Sequence, residues 1–189
     1  MKKIFKFLLL PLFLIGSIFG GYALYNKYVN HYFAPVTEGK VYRSSFIPNE
    51  KLVDFLKEKK IKTVIDLREG MVQDELNPET KGEINLEKDI LKKHPEFNYY
   101  NLPTLQIPED STVNNFIKIM ENKDNYPVLI HCYHGVGRAV LFSAIYKIEF
   151  ENVLPEDARK NAKPFVEITS FSKTAEKGMY LTNYKKRRK

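Results

Sequence analysis

The chain has 189 residues, one cysteine, four histidines and a formal net charge of +7. The positive charge lies at the two ends, because residues 1–27 contain lysines but no acidic residue and residues 185–189 are all basic, whereas the segment between them is slightly acidic. A nucleic-acid-binding domain needs a basic face on its folded part, so this distribution argues against that class of protein. One cysteine and four histidines, without a carboxylate cluster at ligand spacing, fit no common zinc or iron pattern. No metal or other cofactor is therefore expected.

The first predicted element is a long apolar helix at the amino terminus. Residues 7–25 carry no charge and follow Lys2, Lys3 and Lys6, and this length is sufficient to cross a hydrocarbon core of about 30 Å. It predicts one transmembrane helix; the alternative is a secretory signal with residues 21–23 as its cleavage site. Because the lysines precede the apolar stretch, we expect the amino terminus to stay in the cytoplasm and the following domain to lie on the extracytoplasmic, periplasmic side of the membrane.

The composition divides the chain into four parts. Residues 1–27 form the predicted anchor or signal segment, residues 28–38 a linker, residues 39–184 one folded domain and residues 185–189 a basic tail. The part that follows the apolar segment, about 160 residues, suits a single domain with its own core. The basic tail could contact an anionic membrane surface or be solvated, and the sequence leaves both interpretations open.

The periodicity of apolar residues predicts alternating strands and helices after the linker. The predicted strands are residues 41–44, 63–67, 98–102 and 128–132, and the predicted helices are residues 49–59, 86–93, 113–121, 138–150 and 155–162. Such alternation predicts an α/β fold, with a central, mostly parallel sheet flanked by helices. Residues 68–85 and 163–184 receive no continuous assignment.

The most informative run is residues 128–139, in which an apolar strand is followed by a glycine-containing loop and the start of a helix. Five residues separate Cys132 from Arg138, enough for the loop to close into a cup whose backbone N–H groups and helix amino terminus favour a bound phosphate. The same field stabilises a thiolate, so Cys132 is expected to be nucleophilic at neutral pH, and Arg138 offers paired donors to phosphoryl oxygens. Gly135 and Gly137 permit a close backbone approach. The alternative is a buried structural cysteine at a strand-to-helix turn.

These residues also resemble a known family. The run HCYHGVGRA, residues 131–139, resembles the signature H-C-x-x-G-x-x-R of the cysteine-dependent protein tyrosine and dual-specificity phosphatases, and residues 39–45 and 61–68 resemble the opening of its compact atypical group. The resemblance covers roughly residues 37–152. It implies the cysteine phosphatase fold, a phosphocysteine intermediate on Cys132, and hydrolysis of phosphomonoesters carried by proteins (on tyrosine, serine or threonine), lipids or inositol.

The same resemblance implies roles for the loop residues. Substrate-binding residues are expected to be Tyr133, His134, Gly135, Val136, Gly137 and Arg138. Arg138 would bind both the substrate and the transition state, whereas His131 would support the loop by hydrogen bonding. An aspartic acid from a separate loop would protonate the leaving group.

The general acid must come from outside the cup loop. Asp110, in the segment of residues 105–111, is the expected catalytic acid, although it could equally cap the helix that follows. Glu109, Asp89 and Asp74 are lesser candidates. Asp66 and Arg68, at the end of the second predicted strand, could be functional or form a structural ion pair.

One position departs from the family pattern. Ala139 stands where the family usually has serine or threonine, whose hydroxyl stabilises the departing thiolate, so turnover of the phosphoenzyme is expected to be slow. The alternative function is a catalytically weak phosphate-binding module. A sulfurtransferase, which also places a cysteine between a strand and a helix, is a third and weaker hypothesis. The expected partners are a phosphorylated substrate and, through the terminal helix, a membrane, which the basic tail would also contact under the first of its two interpretations.

Overall fold

The computed structural model describes residues 2–72 and 77–188, with side chains from residue 13 onward. Its helices are α1 (Lys2–Tyr28), α2 (Asn49–Glu58), α3 (Lys81–Lys92), α4 (Asp110–Glu121), α5 (Arg138–Glu151), α6 (Pro155–Lys160) and α7 (Glu176–Thr182). The strands are β1 (Ala34–Thr37), β2 (Val41–Ser45), β3 (Thr63–Asp66), β4 (Asn98–Asn101) and β5 (Val128–Cys132). Short 3-10 turns occupy Lys123–Asn125 and Val166–Ile168.

The strands form one sheet in the order β1-β2-β5-β3-β4. Strand β1 is antiparallel to β2, whereas β2, β5, β3 and β4 are parallel to one another. The predicted α/β fold with a mostly parallel sheet is therefore confirmed. Strand β1 lies within the predicted linker and was missed because Pro35 interrupts the apolar pattern; an edge strand tolerates proline, which has no N–H to donate to a neighbour.

Helices cover both faces of the sheet. On one face, α5 packs with α4 over β5, and Phe116 meets Phe142 edge-on with ring centroids 5.0 Å apart. On the other face, Leu52 and Leu56 of α2 and Leu91 of α3 pack against Leu129. Strand β5 is buried along its whole length and pairs with a strand on each side. The carboxyl end of β5, where Cys132 lies, is thus held by the centre of the domain.

Helix α3 begins five residues before the predicted start because of a local cap. The Thr80 hydroxyl accepts from the Glu83 N–H, and the Glu83 carboxylate accepts from the Thr80 N–H, which is a capping box. Such a cap supplies acceptors to two backbone N–H groups that would otherwise have no hydrogen-bond partner at the start of a helix. The Thr-x-x-Glu spacing in the sequence is itself a signal for this helix start.

The amino-terminal helix does not confirm the predicted transmembrane span. Among the described residues, no helix is both long and apolar enough to cross a membrane. The start of the predicted span, residues 7–12, lies outside the described side chains. Membrane anchoring is therefore not supported, and the membrane side assigned to the domain stays a prediction.

The basic tail packs on the domain. The backbone N–H groups of Arg187 and Arg188 donate to the carboxylate of Glu149 on α5, at 2.9 Å each. The Arg188 guanidinium lies 4.1 Å from the Phe150 ring centroid and 3.1 Å from a carboxylate oxygen of Glu121. These contacts join the end of the chain to α4 and α5, so they give no support to a membrane contact through the tail.

Candidate active site

The loop between β5 and α5 forms the predicted cup. Cys132 is the last residue of β5 and is 2% exposed, and the Gly135 N–H donates to its sulfur at 3.3 Å. Gly135 has φ +70°, and a Cβ there would lie 2.4 Å from the Ser45 nitrogen, so both its conformation and the neighbouring strand β2 require glycine. Arg43 braces the loop from outside, since its guanidinium donates to the Gly135 carbonyl at 3.1 Å.

Arg138 begins α5 and is fixed by a carboxylate that the sequence analysis did not identify. Its Nη1 and Nη2 atoms lie 2.5 and 2.6 Å from the two carboxylate oxygens of Glu79, a bidentate pair in which both side chains are 3% exposed. Nη1 also donates to the carbonyls of Leu67 and Thr104, each at 3.1 Å. The pair holds the planar guanidinium in one orientation. Arg138 Nε has no partner among the described residues and is available to an anion in the cup.

A buried charged network lies beneath Cys132. His131 Nε2 is 3.0 Å from Glu87 Oε1 and 3.7 Å from Asp66 Oδ1. Arg68 contacts Glu87 at 2.5 Å and Asp66 at 2.9 Å, and the Tyr99 hydroxyl donates to Asp66 at 2.9 Å. Asp66 and Arg68 therefore form the structural ion pair that was one of the two sequence interpretations. Burial alone would lower the pKa of His131, but the carboxylates of Glu87 and Asp66 outweigh it and raise this pKa above its usual value.

The same network resembles a metal site in its donor types. Among the described residues, Asp66, Glu87 and His131 offer ligand atoms within 4.8 Å of one another. The Arg68 guanidinium already lies between the two carboxylates and supplies the positive charge that a cation would bring. Arg68 and, in its protonated form, His131 supply the two positive charges that balance the two carboxylates.

A cavity of about 350 Å³ opens over the cup. It is lined by Asn77, Gln106, Cys132, His134, Val136, Gly137, Arg138, Lys163, Ser170 and Lys177. Four of the loop residues expected to bind substrate thus line the cavity. The other two do not line it: Gly135 packs on β2 while its N–H points at the Cys132 sulfur, and Tyr133 stacks on Phe46 with ring centroids 6.0 Å apart.

Two lysines on the cavity wall were not identified from the sequence. Lys163 and Lys177 belong to residues 163–184, for which the apolar pattern predicts no continuous element. Burial, followed by the positive charge of Arg138, lowers the pKa of Lys177, and burial, followed by Arg43, lowers the pKa of Lys163. No local motif marks these residues, because the chain that follows α5 brings them back to the cup through tertiary packing.

Asp110 does not line this cavity. It is the first residue of α4, its side chain is 87% exposed, and its carboxylate pairs with the Arg187 guanidinium at 2.5 Å. Glu109 precedes the same helix, and Asp89 is exposed on α3. Asp74 lies outside the described residues. The assignment of Asp110 as general acid stays a prediction, and its position here does not favour it.

Ala139 is fully buried in the first turn of α5, directly after Arg138. Its carbonyl accepts a 2.7 Å hydrogen bond from the Ser143 hydroxyl one turn later. The position therefore offers no hydroxyl to the Cys132 sulfur. The departure from the family pattern lies within the helix start that forms the cup.

Solved structures share this fold. The core catalytic domain of the PP-IP phosphatase SIW14 from S. cerevisiae, in complex with citrate, superposes with a TM-score of 0.58 at 19% identity, over 81% of this chain and 85% of that chain. The P. aeruginosa protein TpbA superposes with a TM-score of 0.53 at 21% identity, over 78% and 82%. At these identities, the likeness concerns the fold.

Comparison of sequences finds higher identities than the structural superpositions, but over fewer residues. The human RNA/RNP complex-1-interacting phosphatase is 41% identical over 61 residues, which are 28% of this chain and 18% of that protein. The Bos taurus protein of the same name is 38% identical over 72 residues. The chain spans about a fifth of the length of these curated relatives. The model of the tyrosine phosphatase family matches residues 29–149, which is more than half of the chain and includes the whole cup. The chain therefore belongs to the tyrosine phosphatase family.

Proposed function

We propose that the protein is a cysteine-dependent phosphatase that hydrolyses phosphate monoesters through a phosphocysteine intermediate. The observation that carries this proposal is the geometry of the cup. Cys132 ends the central strand, an N–H of the loop points at its sulfur, and Arg138 is oriented at the start of α5 by Glu79. These are the groups that attack a phosphorus atom and hold its oxygens.

The reaction then has two steps. The Cys132 thiolate attacks phosphorus, the bond from phosphorus to the ester oxygen breaks, and the leaving alcohol takes up a proton. Loop amides and Arg138 bind the equatorial phosphoryl oxygens, where negative charge develops. Water next attacks the phosphocysteine, the bond between phosphorus and sulfur breaks, and inorganic phosphate leaves with regeneration of the thiolate.

The proposed mechanism is compatible with several classes of substrate. Phosphotyrosine and phosphoserine or phosphothreonine proteins, lipid phosphates and inositol phosphates all present a phosphomonoester that fits this mechanism. The name of the SIW14 relative specifies a PP-IP phosphatase, and the cavity over Cys132 has two lysines on its wall. Both observations support inclusion of a multiply phosphorylated small molecule among the substrates to be tested.

The test is phosphate release by the purified full chain, with Cys132→Ser as its matched control. The substrates are an aryl phosphate, a phosphotyrosine peptide, inositol phosphates and a lipid phosphate. We expect the full chain to turn over at least one of them, and Cys132→Ser to lose at least about 10³-fold in kcat, as expected when a nucleophile is removed. Equal release by the two proteins would contradict the proposed mechanism.

Ala139 favours one second candidate, a phosphate-binding module with little turnover. Without a hydroxyl beside the sulfur, departure of the thiolate from the phosphocysteine is less stabilised. A rapid burst of one product alcohol per chain, followed by no further release, would support this candidate. Steady release of phosphate after the burst would support the phosphatase.

A further inference from the structure

The wall opposite the cup is formed by a part of the chain that the family model does not match. The match ends at residue 149, whereas Lys163, Ser170 and Lys177 all line the cavity over Cys132. These residues come from the segment between α6 and the first turn of α7. The cavity therefore combines a family-specific cup with a wall that belongs to this chain.

Lys177 is held against the mouth of the cup. The residue is 8% exposed, and its Nζ donates to the Gln106 side-chain oxygen at 2.6 Å. Its Cε lies 3.8 Å from the position that a Cβ on Gly137 would occupy, directly before the start of α5. An ammonium group has three donors, so it can bind Gln106 and an anion in the cavity together.

Lys163 lies between two cavities. It lines the cavity over Cys132 and also a neighbouring cavity of about 430 Å³, which Arg43 and Val136 border as well. Its Nζ lies 5.7 Å from the centroid of the Phe171 ring. A substrate that extends from Cys132 toward Arg43 would therefore pass this lysine.

Among the described residues, the positive charge of this wall is only partly offset by acidic groups, with Glu176 as the one carboxylate that raises the pKa of Lys177. Arg138 is paired with Glu79, but no carboxylate lies within ion-pair distance of Lys163 or Lys177 among the described residues. Grouping of cations in a partly buried cavity costs free energy that a bound anion would offset. The volume of about 350 Å³ lies at the lower end of small-molecule sites and is larger than one phosphate needs.

We propose that Lys163 and Lys177 form a second anion subsite, which binds a further phosphoryl group of a compact, multiply phosphorylated substrate while the reacting phosphoryl group lies over Cys132. Because Lys177 is buried within the cavity, that group must stand close to the first one. The inference rests on the proposed function and deepens it, since it assigns substrate selection to residues outside the cup.

The test compares two substrates with the full-length chain. 4-Nitrophenyl phosphate carries one phosphate, and myo-inositol hexakisphosphate carries neighbouring ones. For Lys163→Gln and Lys177→Gln, we expect the ratio of kcat/KM for the hexakisphosphate to kcat/KM for the aryl phosphate to fall about tenfold, mainly through KM. Lys173→Gln is the matched control, because Lys173 belongs to the same segment, is exposed and pairs with Glu156 at 3.7 Å. Its ratio should stay at the parent value.

A second measurement separates this inference from the proposed function. Calorimetry records binding of the hexakisphosphate to Cys132→Ser, alone and combined with each lysine substitution, so it needs no turnover. Loss of affinity with both lysine substitutions would support the subsite even if the parent chain released no phosphate. Unchanged affinity, or equal losses of kcat/KM on both substrates, would overturn the subsite even if hydrolysis depended on Cys132.

Discussion

Two buried arginines show how the cup differs from the segment that follows it. Arg138 and Arg159 are 3% and 0% exposed, and each forms a bidentate pair with a glutamate. The partner of Arg138, Glu79, is 3% exposed and distant in sequence, whereas the partner of Arg159, Glu156, is 32% exposed and lies one helical turn earlier. Arg159 also donates to the Phe171 carbonyl and to Glu167.

The different partners of these two arginines indicate two roles for the same type of side chain, one structural and one in ligand binding. Arg159 ties α6 to the following turns and directs its donors to protein groups. Arg138 directs two nitrogens to protein groups, and its buried Nε has no partner among the described residues. An arginine that is held in one orientation and still has a donor without a protein partner can bind an anionic ligand. The cup region is thus organised to bind an anion, whereas Arg159 serves the packing of the segment that forms the cavity wall.

The largest effect is expected from Arg138→Lys. Lysine keeps the charge but cannot both form the bidentate pair with Glu79 and keep a further oriented donor for the anion, so kcat/KM for an aryl phosphate should fall about 10²- to 10³-fold. Arg159→Lys is the control, and it should lower the urea midpoint while kcat/KM of the folded protein changes little. Similar losses of kcat/KM in the two variants would contradict the inference that Arg138 binds the anion and Arg159 has a structural role.

An intermediate effect is expected from Glu87→Gln, which tests the network beneath the cup. In the folded chain, the raised pKa of His131 means that its protonated form contributes stability that is fully present below about pH 6.5 and is lost as the pH rises through the folded-state value. Loss of the Glu87 carboxylate should lower this pKa and move the loss of stability to lower pH. The free energy of unfolding at pH 6 should fall by about 3 kcal/mol.

NMR titration of the His131 imidazole and urea unfolding across a pH series check this expectation. Asp89→Asn removes a carboxylate from the same helix at an exposed position and should leave both unchanged. An unshifted His131 titration in Glu87→Gln would mean that Asp66 alone sets this pKa.

The smallest effect is expected from Asp110→Asn. Its exposed pair with Arg187 contributes at most about 1 kcal/mol to stability, and its carboxylate lies outside the cavity. We expect kcat/KM for the aryl phosphate to change less than about threefold. A loss of about 100-fold would instead identify Asp110 as the general acid, and it would require the contact with Arg187 to open during turnover.

The part of the site that could be predicted from the sequence is the part formed by one continuous stretch of residues. The strand, loop and helix of residues 128–150 follow from apolar periodicity, glycine placement and the distance from Cys132 to Arg138, and the structure confirms these elements. Glu79 lies 59 residues before Arg138, and no local pattern links them. Lys163 and Lys177 were missed for the same reason.

Tertiary contact also explains the missed helix α7. A Cβ on Gly178 would lie 1.7 Å from the Ser172 carbonyl oxygen, so this short helix depends on a close approach that only glycine permits. Strand β1 similarly depends on its pairing with β2. Such elements are specified by their neighbours and have little apolar periodicity of their own.

The central position of β5 has a consequence for hydrogen exchange. Its amides are buried and paired on both edges, so they should exchange only when the whole domain unfolds, whereas residues 163–175, which form turns and one 3-10 turn, can open locally. At denaturant concentrations well below the global midpoint, the wall containing Lys163 could open transiently while the cup persists. Opening on that side would give a bound product a way out that leaves Cys132 and Arg138 in place.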